Sequence, residues 1–203
     1  MIDDDLTFEG LRDEYDRLFD SCVIRPEYAS AAASRARQIA VDVARYSDVM
    51  RETGVPWFVV GIIHSLESSL NFACHLHNGD PLTARTVHVP KGRPLDGDPP
   101  FSWAESAVDA LRLERFDVWS PWTAAGIAFK LESYNGFGYR RFHDEVLSPY
   151  LWSFSTHYTA GKYMADGRWS ATEVSSECGG MVLLRALSNI GVVRVGADRV
   201  LVG

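Results

Sequence analysis

The sequence predicts an α+β fold that is mainly α, with one small β element after the third helix. Three observations predict it. Apolar residues recur at spacings of three and four through most of the chain. A turn-rich stretch with alternating β-branched residues interrupts that pattern after Cys74. A length of 203 residues with 46% hydrophobic content suits one substantial core and not several independent domains. The expected organisation is a single domain over 1–203. It comprises N-terminal helices (6–53), a core (55–190) and a C-terminal hairpin (191–203).

The first helix is expected over 6–22, where Phe8, Leu11, Tyr15, Leu18, Phe19 and Cys22 form an apolar stripe. Pro26 suits the first turn of a second helix running to Thr53. Its stripe is Ala29, Ala32, Ala36, Ile39, Val43, Tyr46 and Met50, and Gly54 stops it. Pro56 opens a third helix over 56–69 that is apolar on every face, which predicts burial. Its last turn carries His64, Ser65, Glu67, Ser68 and Ser69. Asn78-Gly79-Asp80-Pro81 is turn chemistry, and Thr83 to Val89 predicts a hairpin or small sheet. A loop over 90–101 follows. Ser102 with Glu105 forms a capping box for a helix from Trp103 to Arg115. Pro121 begins a helix to Tyr134 that ends at Asn135-Gly136. Residues 143–169 read as irregular and aromatic. A helix is expected from Ala171 to Ser188, with Val174, Met181, Leu184 and Leu187 inward, and a hairpin from Val192 to Val202 turning at Gly196-Ala197-Asp198.

The net charge of -7 argues against nucleic acid as a partner, because phosphate binding relies on Lys and Arg. It also opposes nonspecific attraction to an anionic wall, although Arg85 to Arg93 is a local basic stretch. Three widely spaced cysteines, Cys22, Cys74 and Cys178, indicate no disulfide framework. His75 and His77 alternate, but no third ligand stands at a suitable spacing, so neither a metal nor another cofactor is expected. The longest apolar run, Val55 to Ile63, is too short to span a bilayer. The N-terminus has no signal-peptide pattern, so synthesis in the cytoplasm is expected.

The informative contrast is a core helix that ends in a polar cluster. Glycoside cleavage needs a carboxylic acid still protonated near neutral pH. Burial and a helix C-terminus both raise a carboxyl pKa. Glu67 is placed to receive both effects. His64 lies one turn earlier on the same face, able either to contact that acid or a sugar, or to serve as a core histidine.

His64-Ser65-Leu66-Glu67-Ser68-Ser69-Leu70-Asn71-Phe72 resembles the Glu-Ser motif of goose-type lysozymes and lytic transglycosylases. Tyr134-Asn135-Gly136-Phe137-Gly138-Tyr139 resembles their Tyr-Asn-x-Gly segment, which lines the sugar cleft. The stretch from about 55 to 188 is similar to an endolysin-type lysozyme group of phages and bacteria. Phage-type lysozymes space Glu, Asp and Thr by eight and five residues. Here Asp80 and Thr86 keep the five, while Glu67 and Asp80 are separated by twelve.

The resemblance implies a lysozyme-like fold and a peptidoglycan hydrolase cutting between N-acetylmuramic acid and N-acetylglucosamine. Glu67 would be the acid. Asp80 would activate water and Thr86 would hold it, unless Asp80 is only a turn residue and Thr86 a strand residue. In an inverting enzyme the two carboxyl groups stand about 6.5–9.5 Å apart. His64, Ser68, Tyr134, Asn135, Gly136 and Tyr139 would contact the glycan strand, with a helix C-terminal turn as the other reading of Tyr134 and Asn135. Action on the wall would follow release from the cytoplasm, through a holin if the protein is phage-encoded. A lytic transglycosylase leaving 1,6-anhydro ends, and a non-catalytic wall-binding or virion module, are the alternatives.

Overall fold

The computed structural model describes residues 6–165, 167–196 and 200–202. Helices dominate: α1 (Phe8–Asp20), α2 (Pro26–Val41), α3 (Val43–Thr53), α4 (Trp57–Ser68), α5 (Trp103–Leu113), α6 (Ala124–Asn135), α7 (Gly138–Phe142), α8 (Pro149–Trp152) and α9 (Gly180–Asn189). The strands β1 (Lys162–Ala165) and β2 (Arg168–Ser170) form one antiparallel pair, and β3 (Val193–Val195) and β4 (Val200–Val202) form another. The α+β, mainly helical class is therefore present. Among the described residues no helix is long and apolar enough to cross a membrane.

The chain divides into two compact units, Met1–Arg37 with Pro121–Gly203, and Gln38–Ser120. In the first unit α1 packs on α6, and α9 packs on α6, α8 and β3. The core there includes Tyr15, Phe19, Ile127, Leu131, Trp152, Leu183 and Leu187, all 2% exposed or less. In the second unit α3 packs on α4 and α5. Helix α4 is buried from Trp57 to His64, as an all-round apolar helix must be. Gly61 lets it approach its neighbours: a Cβ there would lie 2.4 Å from the Ile39 methyl and 3.2 Å from the Tyr46 ring.

The capping box at Ser102 and Glu105 forms as expected, with Ser102 Oγ accepting from the Glu105 N–H and the Glu105 carboxylate accepting from the Ser102 N–H. The expected helix over 26–53 breaks at Asp42, which separates α2 from α3 and makes no side-chain cap to the helix that follows. The break shifts the buried face to Tyr46, Val49 and Thr53 and leaves Val43 exposed. No strand forms over Thr83–Val89. An isolated bridge, Cys74 to Pro81, precedes it, and the N–H of Thr86 goes to the Arg93 carbonyl while those of Val87 and His88 go to the Asp80 carboxylate. A strand pair forms instead in the stretch read as irregular, with Tyr163 opposite Trp169.

The last helix begins at Gly180, nine residues later than expected, and Val174 is exposed. Backbone groups of 173–179 bond across to 153–161 instead: Gly161 N–H to Glu173 O at 2.9 Å, Ser175 N–H to Tyr158 Oη at 3.1 Å and Gly179 N–H to Ser153 O at 3.1 Å. The C-terminal hairpin is present, Val193 opposite Val202, while its expected turn residues Ala197 and Asp198 lie outside the described residues.

Candidate functional site

Glu67 lies in the last turn of α4 and is half-buried, as are Ser65, Leu66 and Ser68. The helix stops abruptly behind it. Ser69 and Leu70 take φ of 53° and 64°, a left-handed conformation that non-glycine residues adopt at a steric cost. The His64 carbonyl collects the N–H groups of both, and also the Ser68 hydroxyl at 3.3 Å. The chain then folds back so closely that a Cβ on Gly79 would lie 3.1 Å from the Glu67 carbonyl oxygen. Gly79 has φ of 79°, so glycine suits it on both counts.

His64 is fully buried. Its ring is enclosed by Phe72 at 4.4 Å, Trp103 at 4.6 Å and Tyr46 at 5.8 Å between ring centres. Nδ1 is 3.0 Å from the Tyr46 hydroxyl, while Nε2 meets no partner with hydrogen-bond geometry among the described residues. Burial pushes its pKa down to about 4, so the ring is neutral near pH 7.

Asp80 and Thr86 organise the loop that follows. One Asp80 oxygen accepts the N–H groups of Val87 at 2.8 Å and His88 at 3.0 Å, and the other is 2.6 Å from His88 Nδ1. Burial alone would raise this carboxyl. The two N–H donors and the His88 ring outweigh it and hold the pKa down to about 2. Thr86 Oγ1 donates to the Pro90 carbonyl and accepts from the Arg93 N–H at 2.9 Å. Thr86 is 3% exposed, so its hydroxyl serves the loop backbone.

Beneath this loop lies a buried polar network. His75 is 2.8 Å from both Ser106 Oγ and the Ala84 carbonyl. His77 Nε2 is 2.7 Å from Asp109, which also receives two hydrogen bonds at 2.8 Å from Arg93. Burial lowers the His77 pKa against the opposing pull of Asp109. Both histidines are thus committed to protein partners. They stand 5.8 Å apart between ring centres.

The Tyr-Asn-x-Gly segment lies in the first unit. Tyr134 is half-buried and Asn135 exposed at the end of α6, and Gly136 caps the helix with φ of 82°. Tyr139 is buried, its ring edge-on to Tyr163 and Trp169, and its hydroxyl accepts weakly from the Tyr163 N–H at 3.4 Å. The predicted site residues therefore fall in two groups: Glu67, His64, Ser68, Asp80 and Thr86 in the second unit, and Tyr134, Asn135, Gly136 and Tyr139 in the first.

No protein-family model matches the chain, no curated protein matches its sequence, and no solved structure matches its fold.

One polar cluster in the first unit escaped the sequence reading. Glu132, 2% exposed on α6, accepts from the Tyr15 hydroxyl and from Arg140 Nε at 2.8 Å. Arg140 also pairs with Glu14 at 3.0 Å and lies 5.0 Å over the Tyr15 ring. Burial first, then the Glu132 charge, pushes the Tyr15 pKa far up. Burial disfavours the Arg140 cation, but Glu132 and Tyr15 more than offset it. The sequence signal is an acid in a helix otherwise rich in small and apolar residues from Ala124 to Leu131. Its partners stand 117 residues before and eight after.

Proposed function

We propose that this protein cleaves the β-1,4 glycan strand of peptidoglycan, with Glu67 as general acid. The observation that carries the reading is the position of Glu67: half-buried, in the last turn of a helix that is buried from Trp57 to His64, and followed after Ser68 by two non-glycine residues held left-handed. Conformations of that kind persist where the surroundings over-determine them, and they cluster at functional sites. In the reaction the Glu67 proton passes to the glycosidic oxygen as the C1–O bond breaks, and the sugar leaves as an alcohol. The carboxylate produced then receives the proton of whichever oxygen attacks C1.

A specific observation bears on that oxygen. Asp80 already receives three donors, so little of it is left to activate water. This favours a reaction with one catalytic carboxylate, in which the muramic acid's own 6-hydroxyl attacks C1 and a 1,6-anhydro end results. The test is clearing of a peptidoglycan suspension by wild type and Glu67→Gln, followed by mass spectrometry of the muropeptides. Glu67→Gln is expected to lose activity by about 100-fold or more, the contribution of a general acid. Equal clearing by both proteins would refute the mechanism. Anhydro ends are expected among the products, and reducing ends alone would return the water-activating role to Asp80 or another base.

A further inference from the structure

We propose that Asn135 is a site of self-modification, at which the chain converts its own Asn135-Gly136 junction to aspartate and isoaspartate, while the identical Asn78-Gly79 pair is held unreactive by the fold. The proposal does not rest on the catalytic role of Glu67. In the reaction the Gly136 amide nitrogen attacks Asn135 Cγ. An N–Cγ bond forms, the Cγ–Nδ2 bond breaks, and ammonia leaves carrying the proton from the Gly136 N–H. The cyclic imide that results takes up water at either carbonyl and opens to aspartate or isoaspartate. Glycine as the following residue favours this, because it has no Cβ to obstruct the approach of its nitrogen. The chain holds two such pairs, while Asn71 and Asn189 are followed by Phe72 and Ile190.

The structure separates the two pairs. Asn135 is exposed, the last residue of α6, and its side chain makes no hydrogen bond among the described residues. A Cβ on Gly136 would meet nothing within 4 Å, so the space a closing ring needs is open. The Gly136 N–H donates to the Ser133 carbonyl at 3.2 Å, a bond that closes the final turn, and helix ends open at little cost. Asn78 differs in each respect. It is half-buried, its Oδ1 accepts from the Asp80 N–H at 3.0 Å and its Nδ2 donates to the Val89 carbonyl at 3.3 Å. The Gly79 N–H donates to the His75 carbonyl at 3.0 Å, and a Cβ on Gly79 would lie 3.1 Å from the Glu67 carbonyl oxygen. Turning the Asn78 amide onto Gly79 would break both side-chain bonds in a crowded turn. The product at position 135 is a carboxylate at the negative end of α6, where the helix dipole opposes it. The isoaspartate also adds a main-chain carbon, which carries the Gly136 N–H away from Ser133. Conversion therefore loosens the end of α6 and adds a negative charge to a chain of net charge -7.

Ageing the full chain in mildly alkaline buffer at physiological temperature, with mass spectrometry of its acid-protease peptides over time, tests this directly. The peptide holding Asn135 is expected to gain the mass difference between amide and carboxyl at least about tenfold faster than the peptide holding Asn78. In urea, where the fold no longer distinguishes them, the two are expected to convert within about threefold of each other. An isoaspartate-specific methyltransferase is expected to label the aged Asn135 peptide. On isoelectric focusing, aged wild type is expected to accumulate an acidic form that aged Asn135→Gln lacks, since glutamine has to close a larger and slower-forming ring. Folded wild type in which Asn135 stays unconverted would overturn the proposal. So would equal rates at Asn135 and Asn78 in the folded chain, or an acidic form that arises as fast in Asn135→Gln as in wild type.

Discussion

Asp80 holds its loop by gathering donors from Val87 and His88, and that arrangement fixes what its removal does. Asp80→Asn keeps the shape but weakens the acceptors, and a loss of about 1–2 kcal/mol in unfolding free energy is expected by urea titration. If glycan cleavage uses one carboxylate, the variant retains most of its rate per folded molecule. A fall of 100-fold or more would mark Asp80 as a participant. Two residues also make the fold acid-sensitive. The Asp80 pKa of about 2 lies below the unfolded value of about 3.9. Its contribution is therefore full above about pH 4 and is lost as pH falls towards 2. His64 acts in the same direction from higher pH. Its pKa of about 4 lies below an unfolded value of about 6.5, so the unfolded chain takes up the proton first. Stability is full above about pH 6.5 and declines to pH 4, by as much as about 3 kcal/mol for that shift. Urea midpoints measured from pH 7 to pH 4 should fall in wild type and fall less in His64→Phe. Parallel curves would exclude His64 as the cause.

At the scale of elements, helix α4 depends on close approach at Gly61. An added methyl would collide with the Ile39 methyl, which is β-branched and has little freedom to move away. Gly61→Ala is expected to destabilise by about 1–3 kcal/mol despite its better helix propensity, a sign readily checked by thermal unfolding. The same scale shows what local pattern could and could not specify. The capping box at Ser102 and the buried character of α4 follow from residues adjacent in sequence, and both were legible. The alternation over Thr83–Val89 was not sufficient for a strand. Val87 and Val89 are 63% and 81% exposed, and the N–H of Val87 goes to Asp80 instead of a neighbouring strand. Residues 171–179 fail as a helix for a comparable reason: the Glu173 carbonyl and the N–H groups of Ser175 and Gly179 bond partners twelve or more residues away, and those of Glu173 and Glu177 bond nearby serine hydroxyls.

For the whole molecule, the charge of -7 bears on any anionic substrate. Repulsion reaches about 30 Å at 0.01 M salt and about 8 Å at 0.15 M. If the wall is the substrate, clearing should run at least about twofold faster at the higher ionic strength, measured as the initial rate of turbidity loss. A rate that falls steadily with salt would point to a local basic surface as the docking face. The candidate site shows the same division between local and distant information. Glu67 was found from its own helix. The fixing of Asp80 and Thr86 required the loop to close, and the Tyr15–Glu132–Arg140 cluster required α1 and α6 to pack.

The sequence by itself determined the mainly helical class, the burial of α4 and the placement of Glu67 at its end. Each of these depends on interactions within a few residues, where side-chain type and spacing are decisive. Tertiary structure alone decided which backbone groups left strand or helix for distant partners. It also decided which polar side chains became buried partners. Those outcomes depend on groups brought together from far along the chain, and no local pattern encodes their meeting.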